Sequence, residues 1–248
     1  MSIKGKLWLM LRNKLPKKFF PTSVAYLFLD HIEPSVFMDN WSSLPFNGQV
    51  RRMRLISGLS LDLEIGTVIE TGTYLGSSTP YLARIFNCET YSVEIDPYFA
   101  QRAKRRFENN HKDLDIELIV GDSAQKIREI LFNVSKSNSI FAYLDAHWLD
   151  AIPTEDELNA LIEWGGDWLA VIDDFQIELD SGYKFDSYDS VVIGLNLIPV
   201  DEHLEVWVPK EDSKLETGVR SGTGIVFSSK SHREKVSENL ISQMMRIR

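Results

Sequence analysis

Short apolar runs at 67–71, 90–95, 116–120, 139–144 and 168–172 alternate with stretches of helical periodicity, and this alternation restricts the fold more than any other feature. A strand joined to the next through a helix must pair in parallel, and both faces of the resulting sheet are then covered by helices. The helical starts are punctuated. Thr79-Pro80 and Asp96-Pro97 each supply a capping side chain before a proline, Ser123 supplies a cap, and Thr154-x-x-Glu157 reads as a capping box. Two further runs, 204–208 and 224–227, bring the strands to seven, and a terminal helix is expected from about residue 232. Between them lies an Asp/Ser/Tyr/Gly-rich loop, 174–190, long enough to face a substrate.

The expected architecture is therefore α/β: a Rossmann-like, seven-stranded, mostly parallel sheet with helices on both faces. Residues 1–65 are interrupted by Pro16, Pro21, Pro34 and Pro45 and read as a helical extension or lid, leaving 66–248 as the main domain.

The chain has 248 residues, a net charge of −9 and a single cysteine, Cys88. That cysteine has no intramolecular partner, and no apolar stretch is long enough for a bilayer, so a cytoplasmic setting is expected. The acidic balance argues against nucleic acid as a partner. Lys4, Lys6, Arg12, Lys14, Lys17 and Lys18 make the amino terminus basic, and their interleaving with Leu7, Trp8, Leu9 and Leu11 suits weak peripheral contact with an anionic membrane surface or a docked amphipathic helix. A homo-oligomer is compatible with this composition and not specified by it.

In open α/β sheets ligands collect at the carboxyl ends of the strands, where strand order reverses. After the first strand the sequence reads Glu70-Thr71-Gly72-Thr73-Tyr74-Leu75-Gly76-Ser77-Ser78, whose glycines permit a tight turn and whose following helix offers unpaired N–H groups. Glu94-Ile95 ends the second strand, where a carboxylate can accept from both hydroxyls of a ribose, and Asp122-Ser123 follows the third, where it either contacts an adenine or caps the helix.

On these residues the chain resembles the class I S-adenosylmethionine (SAM)-dependent methyltransferases. Glu70-x-Gly72-x-x-x-Gly76 matches the first motif, Val93-Glu94-Ile95-Asp96 the ribose-binding motif, and Gly121-Asp122-Ser123 the adenine-side motif. The resemblance implies that Gly72, Thr73 and Tyr74 line the methionine moiety. A nicotinamide-dependent oxidoreductase is the natural competitor, but it prefers Gly-x-Gly-x-x-Gly.

Strands four and five end in Tyr143-Leu144-Asp145-Ala146-His147-Trp148 and Ile172-Asp173-Asp174-Phe175. Three converging carboxylates repel one another unless a cation or protonation compensates, so Asp145, Asp173 and Asp174 are the expected ligands of Mg²⁺ or Ca²⁺, with capping of the following turn the other reading of the paired aspartates. Such an ion lowers the pKa of an acceptor hydroxyl, and His147, with Asp145, is placed as the catalytic base, a hydrogen-bonded structural histidine being the other reading. The arrangement is similar to metal-dependent O-methyltransferases of the macrocin and novobiocin type, which act on sugar hydroxyls and carry an acid where His147 stands here. The chain also resembles uncharacterised bacterial methyltransferase-like proteins that share Pro45-Phe46-Asn47-Gly48-Gln49 and the two strand-end runs. The resemblance implies methylation of a small hydroxyl acceptor such as a sugar; a non-catalytic, SAM-binding scaffold is the other reading. Asn47–Arg52 are expected over the cofactor or capping a helix, and Glu216–Arg220 near the acceptor or in an ordinary loop.

Overall fold

The computed structural model describes residues 44–147 and 152–248, so the basic amino terminus and Trp148 lie outside the described residues. The helices are α1 (Val50–Asp62), α2 (Thr79–Phe86), α3 (Pro97–Asn110), α4 (Ser123–Asn133), α5 (Thr154–Trp164), α6 (Lys230–Arg233) and α7 (Glu238–Ile241). The strands are β1 (Thr67–Thr71), β2 (Glu89–Glu94), β3 (Ile116–Val120), β4 (Ile140–Leu144), β5 (Trp168–Ile172), the hairpin β6 (Ser187–Tyr188) and β7 (Val191–Val192), β8 (Glu205–Pro209), β9 (Gly224–Phe227) and β10 (Met244–Arg246).

The main sheet runs β10-β8-β9-β5-β4-β1-β2-β3, with β1 to β5 mutually parallel and β9 inserted antiparallel between β5 and β8. Every residue of β1, β4 and β5 is buried, as strands covered on both faces require. One face packs Ile69, Ala142 and Ile172 against Ile127 and Leu131 of α4 and Leu158 and Leu161 of α5. The other packs Val68, Phe141 and Tyr143 against Leu55, Ile56 and Leu59 of α1, Leu82 of α2 and Leu240 of α7. Residues 46–63 thus share the core of the sheet, and each fully buried Leu or Ile contributes about 1.5–3 kcal/mol relative to exposure.

The main sheet has eight strands where seven were expected, and the separate hairpin β6–β7 begins within the segment 174–190 expected to be loop. In place of a terminal helix from residue 232, the chain forms two four-residue helices, the first capped by the Ser229 side chain, and ends in β10, which pairs antiparallel with the open edge of β8. Pairing satisfies an edge that a helix would have left bare. Three caps also differ. Thr79 is the first residue of α2, and Ser78 holds the cap position without a side-chain bond. Asp122, not Ser123, accepts from the Gln125 N–H, and Pro153 occupies the cap position of α5 with no side-chain bond, so Glu157 forms no capping box.

Strand order reverses between β1 and β4: the chain moves outward through β2 and β3, then returns to pair β4 on the other side of β1. The carboxyl ends of these two strands are therefore the expected crevice.

Candidate active site

The turn leaving β1 is held by its neighbours. Gly72 has φ +82°, and a Cβ there would collide with the Asp145 carbonyl oxygen, so glycine is required at this close approach of two strand ends. Gly72 and Thr73 both donate N–H groups to the Val93 carbonyl at 2.9 and 3.2 Å, and the Gly76 N–H closes the turn on Thr73 at 2.8 Å. Gly76 also sits at positive φ, against the Phe107 ring.

Glu94, at the end of β2 and 7% exposed, accepts the Tyr74 N–H at 2.6 Å on Oε2 and the Asp96 N–H at 2.8 Å on Oε1. Burial raises its pKa, against the lowering effect of those backbone N–H groups. The neighbouring Ile95 is 60% exposed. Glu70 is buried behind the turn instead. Its Oε2 accepts from the hydroxyls of Ser92 and Thr79, its Oε1 has no partner, and burial raises its pKa. Thr73 bonds Ser92 at 2.6 Å, Ser77 accepts from Arg106 at 3.1 Å, and Ser78 stands at the cap position of α2. Asp122 caps α4, and Ser123 is buried in its first turn.

At the β4 and β5 ends, the Asp145 N–H bonds the Thr71 carbonyl at 3.1 Å and the Asp173 N–H bonds that of Leu144 at 3.0 Å, which brings both ends to the β1 turn. His147 Nε2 lies 3.1 Å from Asp174 Oδ2 and 3.7 Å from Asp145 Oδ1. These three residues each offer a ligand atom within 4.8 Å of the others. The His147 side chain is 3% exposed, whereas Asp145 and Asp174 keep 30% and 24%. Burial, then the charges of Asp173 and Asp174, push Asp145 well above the ordinary carboxylate range. Burial and Asp173 raise Asp174 against the opposing effect of His147. For His147, burial acts downward, but the hydrogen bond and charge of Asp174 more than offset it and the ring's pKa is raised.

Asp173 is not part of that group. It is buried and ion-paired with Arg52, and it accepts from the Tyr143 hydroxyl at 2.7 Å, the Ser221 hydroxyl at 2.9 Å and the Asp174 N–H at 2.7 Å. Of the three aspartates, Asp145 and Asp174 converge with His147, whereas Asp173 turns its oxygens to Arg52, Tyr143 and Ser221. Arg52, itself 2% exposed, further bonds Thr223, Ser221 and Gly222. Burial works against its charge, but Asp173 prevails and keeps it protonated. Asp174, at φ +51°, is thereby held in a left-handed turn beside a residue fixed by α1.

The two segments singled out on either side of the sequence meet each other. The Glu216 carboxylate accepts the Arg51 and Arg52 N–H groups at 3.1 Å each, and the Thr217 hydroxyl accepts that of Val50 at 3.0 Å, so the loop 213–219 caps α1 from a distance. Gly218, at φ +63°, lies against the Asn47 carbonyl. Gln49 is fully buried, and neither atom of its amide has a partner.

Sequence reading missed Glu157 as a site residue. It is 0% exposed, and neither carboxylate oxygen has a hydrogen-bond partner. Burial lifts its pKa to about 7, against the hydroxyls of Ser123 and Thr71 and the charge of His147. The signal was present: Glu157 falls on the same helical stripe as Leu158 and Leu161, a face that otherwise enters the core.

No family model matches the sequence, and no curated protein matches it. Among solved structures, an O-methyltransferase from Bacillus cereus in complex with S-adenosylhomocysteine (SAH) superposes with a TM-score of 0.55 at 15% identity, over 83% of this chain and 97% of that one. This is a methyltransferase fold. A provisionally designated caffeoyl-CoA O-methyltransferase from Staphylococcus aureus shares it, with a TM-score of 0.52 at 14% identity over 90% and 98% of the two chains. Within the methyltransferase fold, the turn after β1 and the ends of β2, β4 and β5 are the parts that border the crevice at the strand reversal.

Proposed function

We propose that the chain is a SAM-dependent methyltransferase acting on an oxygen of a small acceptor, most simply a sugar or other polyol hydroxyl, with help from a divalent cation. The observation that carries this reading is the juxtaposition, at one strand reversal, of a carboxylate held by two backbone N–H groups, Glu94, with the Asp145–His147–Asp174 group. Glu94 would accept from the two ribose hydroxyls of SAM, the exposed Ile95 would lie against its adenine, and the Gly72–Tyr74 turn would border the methionine portion. In-line transfer then depends on holding the acceptor oxygen near the methyl group, and positioning supplies much of the rate.

The residues present fit a cation. Two partly exposed carboxylates share a small space with an imidazole, and the carboxylates hold their protons more tightly than usual because of burial and mutual repulsion. A mixed oxygen and nitrogen set suits Mn²⁺ or Zn²⁺ as well as Mg²⁺. A cation there would lower the pKa of an acceptor hydroxyl. His147 enters this reading as a ligand, in place of the base expected from sequence, because its Nε2 already faces both carboxylates.

The test is transfer of a labelled methyl group from SAM to a panel of sugars and phenols, with and without chelator. Transfer that is abolished by chelation and restored by Mn²⁺ supports the reading, and transfer indifferent to chelator removes the cation from it. SAM binding without transfer to any acceptor favours a scaffold. A cytoplasmic setting with weak surface docking through Lys4–Lys18 belongs to the same reading, and sedimentation with anionic vesicles tests the docking.

A further inference from the structure

We infer that the face of the β6–β7 hairpin carrying Tyr188 and Val191 is the acceptor wall of the site, and that it takes a hydroxyl borne on a ring with an apolar face in preference to an open-chain polyol. Pyranosides and phenols share this chemistry. That the ring carries the reacting hydroxyl rests on the proposed function, whereas the place of the wall stands on the packing.

The hairpin is tied to the site by two hydrogen bonds. The Asp186 N–H donates to the Asp174 carbonyl at 3.2 Å, and the Asp186 carboxylate accepts from the Tyr188 hydroxyl at 3.0 Å. Its base is fastened to the segment leaving β5, where the Gln176 N–H donates to the Ile193 carbonyl at 2.7 Å and the Ile193 N–H to that of Asp186 at 3.0 Å. These bonds set the Tyr188 ring beside His147, with ring centroids 6.1 Å apart and planes inclined by 55°. At that distance and tilt the two rings meet without covering each other's faces. Tyr188 pairs with Val191 across the hairpin, and paired residues of an antiparallel ladder project from the same face. Val191 is 41% exposed and Tyr188 half-buried, so the face beside His147 continues outward as apolar surface that the described residues leave partly uncovered.

The turn between the two strands is strained. Asp189 and Ser190 both have left-handed backbone, at φ +46° and +70°, where a two-residue hairpin turn ordinarily takes Asn-Gly. Strain of this kind persists where the surrounding structure holds a needed geometry, and here it keeps Tyr188 and Val191 opposite each other beside the turn. A tyrosine offers a broad apolar ring and a polar tip. With the tip engaged by Asp186, the ring is what remains to be offered, and an acceptor with a flat apolar face gains most from it. An open-chain polyol presents no such face and loses more torsional freedom on binding. The Asp145–His147–Asp174 group lies at the inner end of the same wall, so a ring resting on Tyr188 can direct a hydroxyl toward it.

Saturation-transfer nuclear magnetic resonance of the full chain with SAH present tests this without turnover. The probes are methyl pyranosides and simple phenols as the two ring classes, and glycerol and sorbitol as open chains. Binding of at least one ring class and not of the open chains is expected, weakened about tenfold or more in Tyr188→Ala and kept within about twofold in Tyr188→Phe, with SAH affinity unchanged in both. Should Tyr188→Ala fail to fold, Val191→Asp places a charge on the same exposed face and is expected to weaken the ring probe by a similar factor. Open chains that bind as well as rings, no binding by any ring probe, or ring affinity unchanged in the folded variants overturns the inference. So does a loss of SAH affinity equal to the loss of ring affinity, which marks a general disturbance of the fold. A ring that binds and receives no methyl group from SAM counts against the proposed function and leaves the wall in place. Methylation that Tyr188→Ala leaves at its wild-type acceptor KM removes the wall and leaves the function.

Discussion

Two buried charges on opposite faces of the sheet obey different rules. Arg52 and Asp173 form a buried ion pair with further hydrogen bonds to Tyr143, Ser221 and Thr223. Arg52→Met leaves Asp173 without a counter-charge, and a loss of about 3–5 kcal/mol is expected in urea unfolding. Glu157 has the opposite sign. Its pKa is raised to about 7 in the folded chain, so the folded state holds this proton more tightly than the unfolded state does. Its contribution is fully present below the unfolded value, about 4.3, and is lost as pH rises through about 7. Glu157→Gln is expected to flatten that decline, which is on the order of 3 kcal/mol, in thermal unfolding measured from pH 5 to 8. Sequence could not separate Asp173 from Asp174, because the arginine that claims one of them comes from a helix far away in the chain. The positions of Glu94 and the Gly72 turn were legible because each directly follows or ends an apolar run, although the groups they meet, Tyr74 and Asp145, come from other strand ends.

At the level of elements, the parallel core was readable because strands β1, β4 and β5 are continuous apolar runs and proline marks the starts of α2 and α3. The carboxyl terminus was not, since a short segment such as Met244–Arg246 becomes a strand only when an edge is offered to it, and that edge is a tertiary fact. The same holds for α1, whose cap is supplied by a loop near the other end of the chain. Glu216→Ala removes the acceptor of two backbone N–H groups, and a loss of about 1–2 kcal/mol is expected, comparable to that of a strong local cap. Gly72→Ala is expected to do more than strain its own backbone. By driving Asp145 away it should weaken both SAM binding and any cation site, and a variant that retains both at wild-type affinity would contradict the packing described for the turn.

Across the whole molecule, helices from both sides of the chain meet on one sheet, so unfolding of the described region is expected to be a single cooperative transition. Among the described residues no helix is long and apolar enough to cross a membrane. A methyltransferase of this kind requires a nucleoside site at the ends of β1 and β2. Calorimetric titration of SAH into the folded protein and into Glu94→Gln tests it most directly. One saturable site, weakened in Glu94→Gln by about tenfold or more, is the predicted result, a difference of about 1.4 kcal/mol per factor of ten. Absence of saturable binding in the wild type, or equal affinity in the variant, would contradict it.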